Sequence, residues 1–207
     1  CDVSRYTGPK ARISRRLGTN IFGTVGEARA LDKRPYPPGE HGRSRRRRNE
    51  SEFLLQLQEK QKARFTYGLT EKQFRNLYDE ASRKDGITGE NMLRFLELRL
   101  DNILYRCGWG ATRPQARQLV THRHVNVNGR RVNIPSYRCR VGDVVSLSDK
   151  ARNLIVIRQN IDVLDRSLPA WLEAGDAGQQ VTVRSEPLRE HIDVPVREQL
   201  IVELYSK

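Results

Sequence analysis

Apolar residues recur three or four positions apart through the middle of the chain, which is the spacing of one helical face. The residues that follow this spacing are Phe53, Leu54, Leu57, Phe74, Leu77, Tyr78, Ala81, Leu93, Leu96, Leu100, Ile103, Leu104, Ala116, Leu119 and Val120. Thr70-x-x-Gln73 and Thr112-x-x-Gln115 have the pattern of capping boxes, which mark helix starts. Gly68 and Gly108 predict two helix ends. We therefore expect four helices from Ser51 to Val120: the first ends at Gly68, the second begins at Thr70, the third runs through Leu93 to Leu104 and stops at Gly108, and the fourth begins at Thr112.

After this helical region the apolar period changes to two. Segment 125–134 alternates around Asn128-Gly129, which predicts a hairpin because both residues tolerate the positive φ of a type I′ turn. Residues 144–147 predict a third short strand, and helical spacing returns over 154–164. The apolar stretch at 200–205 fits a helix or a strand equally well. The pattern as a whole indicates an α+β protein.

The first 50 residues have a different composition. Only 13 of them are apolar and 10 are Gly or Pro, so the segment can bury little surface. We expect an extended basic arm over 1–50 that ends in an arginine run, Arg43 and Arg45 to Arg48. The alternative is a disordered, solvated tail.

Charge is distributed unevenly. The chain carries a net charge of +13, with +9 in residues 1–64, +8 in 65–160 and −4 in 161–207. Such an excess indicates a polyanionic partner, nucleic acid before an anionic membrane. The longest run of large aliphatic residues is Leu154 to Ile157, far short of the roughly 20 that cross a bilayer. We expect no membrane span and no secretory signal. Three widely spaced cysteines suggest no disulfide framework, so a reducing cytoplasm is expected.

A ridge of hydrogen-bond donors is predicted around the fourth helix. Arg113 and Arg117 stand four residues apart and share a face, and the loop and hairpin turn that follow add imidazole, amide and guanidinium groups. Phosphates and 2′-hydroxyls are suitable acceptors for such a ridge. An ordinary solvated charged surface is the alternative. Tyr36, in a stiff Pro-rich segment, could stack on an unpaired base or pack on the body.

Catalysis finds no support in the sequence. His122 and His124 could supply only two nitrogen ligands, so a metal there is not expected. Glu97 and Asp101 share a helical face, but pairing with Arg94, Arg99 or Arg106 is expected in place of acid–base chemistry. No GxGxxG, P-loop, HExxH or nucleophile-elbow pattern is present.

Ordered blocks along nearly the whole chain resemble bacterial small-subunit ribosomal protein four, the S-four family. The blocks are Arg5 to Pro9 with Arg15-Arg16, Lys33 to Gly42, Glu59 to Arg64 with Tyr67-Gly68, Lys72 to Arg75, Arg99 to Asn102 with Tyr105-Arg106, Gln115 to Val120, Val127 to Gly129, Pro135 to Arg138 and Glu198 to Lys207.

The resemblance implies a helical body with an N-terminal arm and an inserted S-four RNA-binding domain, two helices followed by a small antiparallel sheet. We expect the arm at 1–50, the body at 51–96 completed by 161–207, and the S-four domain at 97–160. The implied function is that of a structural, non-enzymatic constituent of the cytoplasmic small ribosomal subunit. Such a protein would bind ribosomal RNA directly, nucleate assembly of the subunit body, and contribute to decoding accuracy with small-subunit protein five, near the messenger RNA entry region.

Our predicted RNA-binding residues combine the basic-aromatic pattern with the family blocks. They are Arg12, Arg15, Arg16, Lys33, Arg34, Tyr36, His41, Arg43, Arg45, Arg46, Arg47, Arg48, Lys60, Lys62, Arg64, Tyr67, Arg113, Gln115, Arg117, His122, His124, Asn128, Arg130 and Arg131.

The chain departs from the family at one kind of site. Many members hold zinc through cysteines in the arm, whereas Ala11 and Ser14 occupy the first two of those positions. We therefore expect no zinc and no other cofactor.

Two other functions compete with the ribosomal one. S-four domains also occur in RNA-modifying enzymes such as pseudouridine synthases and in some tyrosyl-tRNA synthetases, but too few residues remain here for a catalytic domain. A free RNA-binding stress factor that handles stalled ribosomal particles is the third possibility. Stoichiometric presence in washed small subunits would favour the ribosomal constituent.

Overall fold

A computed structural model describes residues 6–43, 51–164, 166–175 and 178–206. The helices, in chain order, are α1 (Lys10–Leu17), α2 (Val25–Lys33), α3 (Glu52–Thr66), α4 (Glu71–Ser82), α5 (Thr88–Glu97), α6 (Leu100–Arg106), α7 (Arg113–Thr121), α8 (Asp149–Arg152), α9 (Ile155–Leu164) and α10 (Glu198–Ser206). The strands are β1 (Val125–Val127), β2 (Arg130–Arg131), β3 (Val144–Leu147), β4 (Leu172–Ala174) and β5 (Gln180–Val183). This mixture of helices with a small sheet confirms the predicted α+β class.

The chain divides into two compact units, one of residues 1–89 with 194–207 and one of 90–193. The second unit extends beyond the predicted S-four boundaries, because β4 and β5 lie in the segment assigned from sequence to the body. As a functional division of the chain, the predicted domain boundaries stay a prediction.

The first unit is helical. Ser51 and Thr70 cap α3 and α4 by accepting hydrogen bonds from the amides of Leu54 and Gln73, which confirms the predicted capping box at Thr70. The apolar stretch near 200 is a helix: α10 packs along α3, where the carboxylate of Glu59 accepts a hydrogen bond from the Arg197 amide at 2.9 Å.

The extended conformation predicted for the arm is wrong over Lys10–Leu17 and Val25–Lys33, because these residues form α1 and α2, which pack together. Thr24 and Glu27 form a capping box at the start of α2. Glu27 also accepts a short hydrogen bond from Ser14 of α1, and both side chains are buried. The helices are short and joined by polar contacts, so a count of apolar residues could not reveal them. The arginines from Arg45 to Arg48 lie outside the described residues.

The second unit packs α6, α7 and α9 on one antiparallel sheet of strand order β2-β1-β3-β5-β4. Its core includes both tryptophans, Trp109 and Trp171, each at most 1% exposed. Asn128 and Gly129 have φ of 49° and 75°, which confirms the predicted hairpin turn.

Three predictions for this unit need correction. The third predicted helix is two helices, because Arg99 takes an extended conformation and the Leu98 carbonyl accepts from the Cys139 amide. The strand expected over 132–134 ends at Arg131, and Ile134 is 55% exposed. Strands β4 and β5 were not predicted, although polar and apolar residues alternate along β5. Within the described residues, every helix falls short of the length and apolarity needed to cross a membrane.

Candidate nucleic-acid interface

Helix α7 is positioned by its N-terminus and its apolar face. The Thr112 hydroxyl accepts from the Gln115 amide, Pro114 lies in the first turn, and Ala116, Leu119 and Val120 are buried. The Gln115 side chain accepts from the Ala111 amide at 2.6 Å, so it also orders the loop that precedes the helix. This arrangement turns Arg113 and Arg117 toward α6.

Both arginines make contacts inside the protein. Arg113 donates from Nε to Oδ1 of Asn102 at 3.0 Å, and its guanidinium lies 4.2 Å from the ring centroid of Tyr105. Arg117 lies 3.5 Å from the carboxylate of Asp101, which accepts two hydrogen bonds from Arg99. The face of α7 that is predicted to bind RNA therefore also stabilises the second unit.

A buried ion pair lies behind this face. Glu97 is fully buried and accepts hydrogen bonds from Nε and Nη2 of Arg106, both at 2.9 Å, and from Asn102 at 2.8 Å. Glu97 and Asp101 are therefore paired with Arg106 and Arg99, which confirms the predicted pairing, and neither has the arrangement of a general acid or base.

The hairpin turn carries two exposed cations of the second unit. Arg130 and Arg131 are exposed on β2, an edge strand of the sheet. Asn128 has a structural role, because its side-chain amide donates to Asp143 at 2.8 Å and its Oδ1 accepts from the Val144 amide at 2.9 Å. The turn therefore presents the two guanidinium groups from a rigid support.

The loop between α7 and β1 presents two imidazoles and a guanidinium. His122 is exposed and His124 half-buried, with ring centroids 6.3 Å apart. Burial, followed by the neighbouring His122, lowers the pKa of His124. Arg123 between them is exposed, with φ of 64°. Arg123 was not among the predicted RNA-binding residues, although its place between two predicted contacts could have indicated it.

The first unit gathers a second basic cluster around Tyr36. Nε of Arg15 donates to the carbonyls of Arg34 and Tyr36, both at 3.1 Å, which holds the Pro-rich segment against α1. Arg43 donates to the Tyr36 hydroxyl at 3.2 Å, and this hydrogen bond with the surrounding guanidinium charges lowers the Tyr36 pKa. Arg15 and Arg43 lie 5.0 and 5.4 Å from the ring centroid, so cations already flank the aromatic face.

The basic residues of α3 mainly stabilise the helical unit. Lys60 is 7% exposed and its Nζ lies 2.7 Å from Glu71, whereas Lys62 pairs with Glu59 at 2.6 Å. Tyr67, just after the helix, is 4% exposed. Partial burial acts to raise the pKa of Glu71, but hydrogen bonds from Lys60 and Tyr205 and the nearby cations outweigh it, and that pKa is lowered.

The predicted residues thus fall into groups by exposure. The exposed ones are Arg12, Arg16, Lys33, Arg34, His41, Arg43, His122, Asn128, Arg130 and Arg131. The half-buried ones are Arg15, Tyr36, Lys62, Arg64, Arg113, Gln115, Arg117 and His124. Lys60 and Tyr67 are buried. Each compact unit therefore presents its own exposed basic surface.

Comparison with known proteins accounts for both units. The family model described as the Ribosomal protein S4/S9 N-terminal domain matches residues 5–97, and the S4 domain model matches residues 98–145. Small ribosomal subunit protein uS4 of Nocardioides is 53% identical over 99% of this chain and 100% of its own length. The uS4 proteins of Mycobacterium bovis and Mycobacterium tuberculosis are each 54% identical over the same shares.

This chain belongs to the uS4 family. Membership confirms the predicted resemblance and makes the chain a structural, RNA-binding protein of the small ribosomal subunit, not an enzyme. Membership of this family also explains why the net positive charge is concentrated in the first three quarters of the sequence, where both family models match. Among the described residues, no group of three or more His, Cys, Asp or Glu side chains could hold a metal ion.

Proposed function

We propose that the chain binds small-subunit ribosomal RNA through two exposed basic surfaces, one on each compact unit. The surface of the helical unit comprises Arg12, Arg16, Lys33, Arg34, His41 and Arg43, and that of the sheet unit comprises His122, Arg123, Arg130 and Arg131. Arg113, Gln115, Arg117 and His124 border the second surface. Residues 97–160 act as the RNA-binding domain within the second unit.

The observation that carries this proposal is the exposed Arg130-Arg131 pair on a rigid turn. Guanidinium groups held apart from carboxylates keep their capacity to bind phosphates, and they release counterions when they do so. Lys60 and Tyr67 are left out of the proposed surfaces, because their burial gives them a structural role.

A protein with two such surfaces can hold separate RNA helices together. We propose on that basis that the chain joins the RNA early and nucleates the subunit body. Contact with small-subunit protein five, a contribution to decoding accuracy and a position near the messenger RNA entry region are further parts of the proposal, and they rest on family resemblance alone.

The test measures affinity for a small-subunit ribosomal RNA transcript as a function of salt. Replacing Arg130 and Arg131 by Ala should reduce the slope of log affinity against log salt by about one for each lost phosphate contact. Arg83 and Lys84, exposed at the end of α4, give a matched control with the same charge change. Equal slopes for the two double variants would refute the assignment of this surface.

The amount of this protein in salt-washed small subunits distinguishes a ribosomal constituent from a stress factor. A constituent remains stoichiometric in salt-washed small subunits, whereas a factor that visits stalled particles is substoichiometric and transient. Loss of most of the protein in the wash would favour the factor.

We also propose that the arm binds no zinc. Ala11 has no ligand atom, and Ser14 is buried and donates its hydroxyl hydrogen to Glu27. Elemental analysis of protein purified without chelators should find less than about 0.1 zinc per chain, a threshold that a site of ordinary structural affinity would far exceed. One equivalent of zinc would contradict this proposal.

A further inference from the structure

A cavity of about 800 Å³ opens in the helical unit between α1, the Pro-rich segment and α3. Its walls are mainly apolar and are formed by Ile13, Leu17, Pro37, Pro38, Leu54 and Leu57. This volume lies within the range of pockets that hold small organic ligands. None of the contacts described so far fills it.

Three arginines also line the cavity, namely Arg15, Arg16 and Arg64. Arg15 fixes the proline wall, because its side chain donates to the carbonyls of Tyr36 and Pro37 at 3.1 and 3.5 Å. Arg16 is exposed beside it on α1. A flat apolar ring attached to an anionic group matches a slot with apolar walls and cationic edges.

Two buried polar atoms of α3 have hydrogen-bonding capacity that a polar ring attached to an anionic group could use. Oε1 of Gln61 and Nε of Arg64 are buried and have no hydrogen-bond partner in the described structure. The nearest carboxylate oxygen to that Nε is Oε2 of Glu71, at 3.8 Å, which is too far for a hydrogen bond. Buried donors and acceptors are nearly always paired, so these two have unused bonding capacity. Gln61 and Arg64 lie three residues apart on one face of the helix and both line the cavity through other atoms, so a rotation of each side chain brings these two atoms to it.

We propose that this cavity receives the base of one unpaired nucleotide of RNA. The edge of a nucleobase presents a donor beside an acceptor, which complements Gln61 and Arg64 once the two side chains turn toward it. The prolines and leucines enclose the ring, and Arg16 contacts the attached phosphate. This inference rests on the proposed function, because it assumes that the chain binds ribosomal RNA.

The first test fills the cavity. Leu57→Trp places a large ring in the slot, and Leu55→Trp makes the same substitution on the same helix at a position that is 39% exposed and does not line the cavity. Because the base would lose its place between the apolar walls, Leu57→Trp should weaken binding of the small-subunit ribosomal RNA transcript about tenfold or more. The salt slope should be unchanged, because phosphate contacts remain. Leu55→Trp should bind as the wild type does.

The second variant covers the possibility that Leu57→Trp fails to fold. Gln61→Met keeps the size of the side chain but removes the orphan oxygen, so stability to urea should stay equal or rise while RNA affinity falls. A variant that is less stable and binds RNA normally would show that Gln61 is structural, and would overturn the proposal.

Photo-crosslinking locates the ligand directly. A benzoylphenylalanine in place of Leu57 should crosslink the transcript at one unpaired nucleotide, and the same group in place of Leu55 should not. Equal crosslinking at both positions, or no crosslinking at position 57, would overturn the proposal that the cavity binds a base. Neither result would contradict ribosomal RNA binding by the protein as a whole. A wild-type protein with no preference for the transcript over duplex RNA of equal length would overturn the proposed function itself.

Discussion

The buried Glu97–Arg106 pair makes a quantitative prediction about the second unit. Glu97 is fully buried and Arg106 has 10% of its side chain exposed. Glu97→Ala would remove the two hydrogen bonds from that guanidinium to a fully buried carboxylate, whereas its ion pair with Asp193, whose side chain is 82% exposed, would stay. Exposed pairs contribute at most about 1 kcal/mol, whereas breaking a buried pair costs about 3–5 kcal/mol.

Tryptophan fluorescence isolates this effect, because both tryptophans of the chain are buried in the second unit. In a urea titration, Glu97→Ala should move the midpoint down by roughly 2 M. The melting temperature should fall by about 12–20 °C, at about 4 °C for each kcal/mol in a unit of this size. Glu173→Ala, an exposed change on β4, serves as the control and should stay within about 0.5 kcal/mol of the wild type.

A double-mutant cycle completes the test. If the loss comes from breaking the Glu97–Arg106 pair, adding Arg106→Ala to Glu97→Ala should cost much less than Arg106→Ala alone costs. Additive costs would refute the reasoning, as would a midpoint for Glu97→Ala equal to that of the control. Because Asn102 donates to Glu97 and accepts from Arg113, the single variant should also weaken RNA binding.

Three smaller predictions follow from individual contacts. Asn128→Ala removes the bonds to Asp143 and Val144 at a residue with φ of 49°, so it should cost about 1–2 kcal/mol by urea titration, and an unchanged midpoint would contradict this. The Glu71 pKa is lower in the folded protein, so its stabilisation is complete above about pH 5 and is lost as pH falls through the folded-state value. The difference in unfolding free energy between wild type and Glu71→Gln should therefore shrink in acid, and a constant difference would exclude this linkage. Arg15→Lys loses the fork that holds the Pro-rich segment, so amide exchange over residues 36–43 should become faster, about tenfold, while α4 is unchanged.

The helices were predictable where apolar spacing and caps agree. Helix α4 has both signals, a capping box at Thr70 and one continuous buried face, and it begins where predicted. The hairpin turn was equally accessible, since Asn128-Gly129 is a local conformational preference that needs no partner. The split between α5 and α6 could not be predicted from the sequence, because a hydrogen bond from the amide of Cys139, which is distant in sequence, helps to terminate α5.

The candidate RNA surface was predictable in composition but not in detail. The excess of basic residues and the family blocks indicated the segments that we propose bind RNA. The sequence could not show that Lys60 is turned into the protein toward Glu71 or that Arg117 faces Asp101, because a carboxylate partner is recognised only when two helices are brought together. Arg130 and Arg131, which were predicted as RNA contacts beside a local turn, are exposed, and their RNA contact stays a prediction.

The sequence by itself determined the class of partner, the family and the local elements, because net charge, caps and turns depend on neighbouring residues alone. Only the tertiary structure decided which cations remain accessible to RNA and which stabilise the protein. It also decided that α1 and α2 form within an arm that looked unable to fold, through a buried bond between Ser14 and Glu27. The physical reason is the same in both cases: desolvation and pairing of a charged group depend on what packs against it from distant parts of the chain.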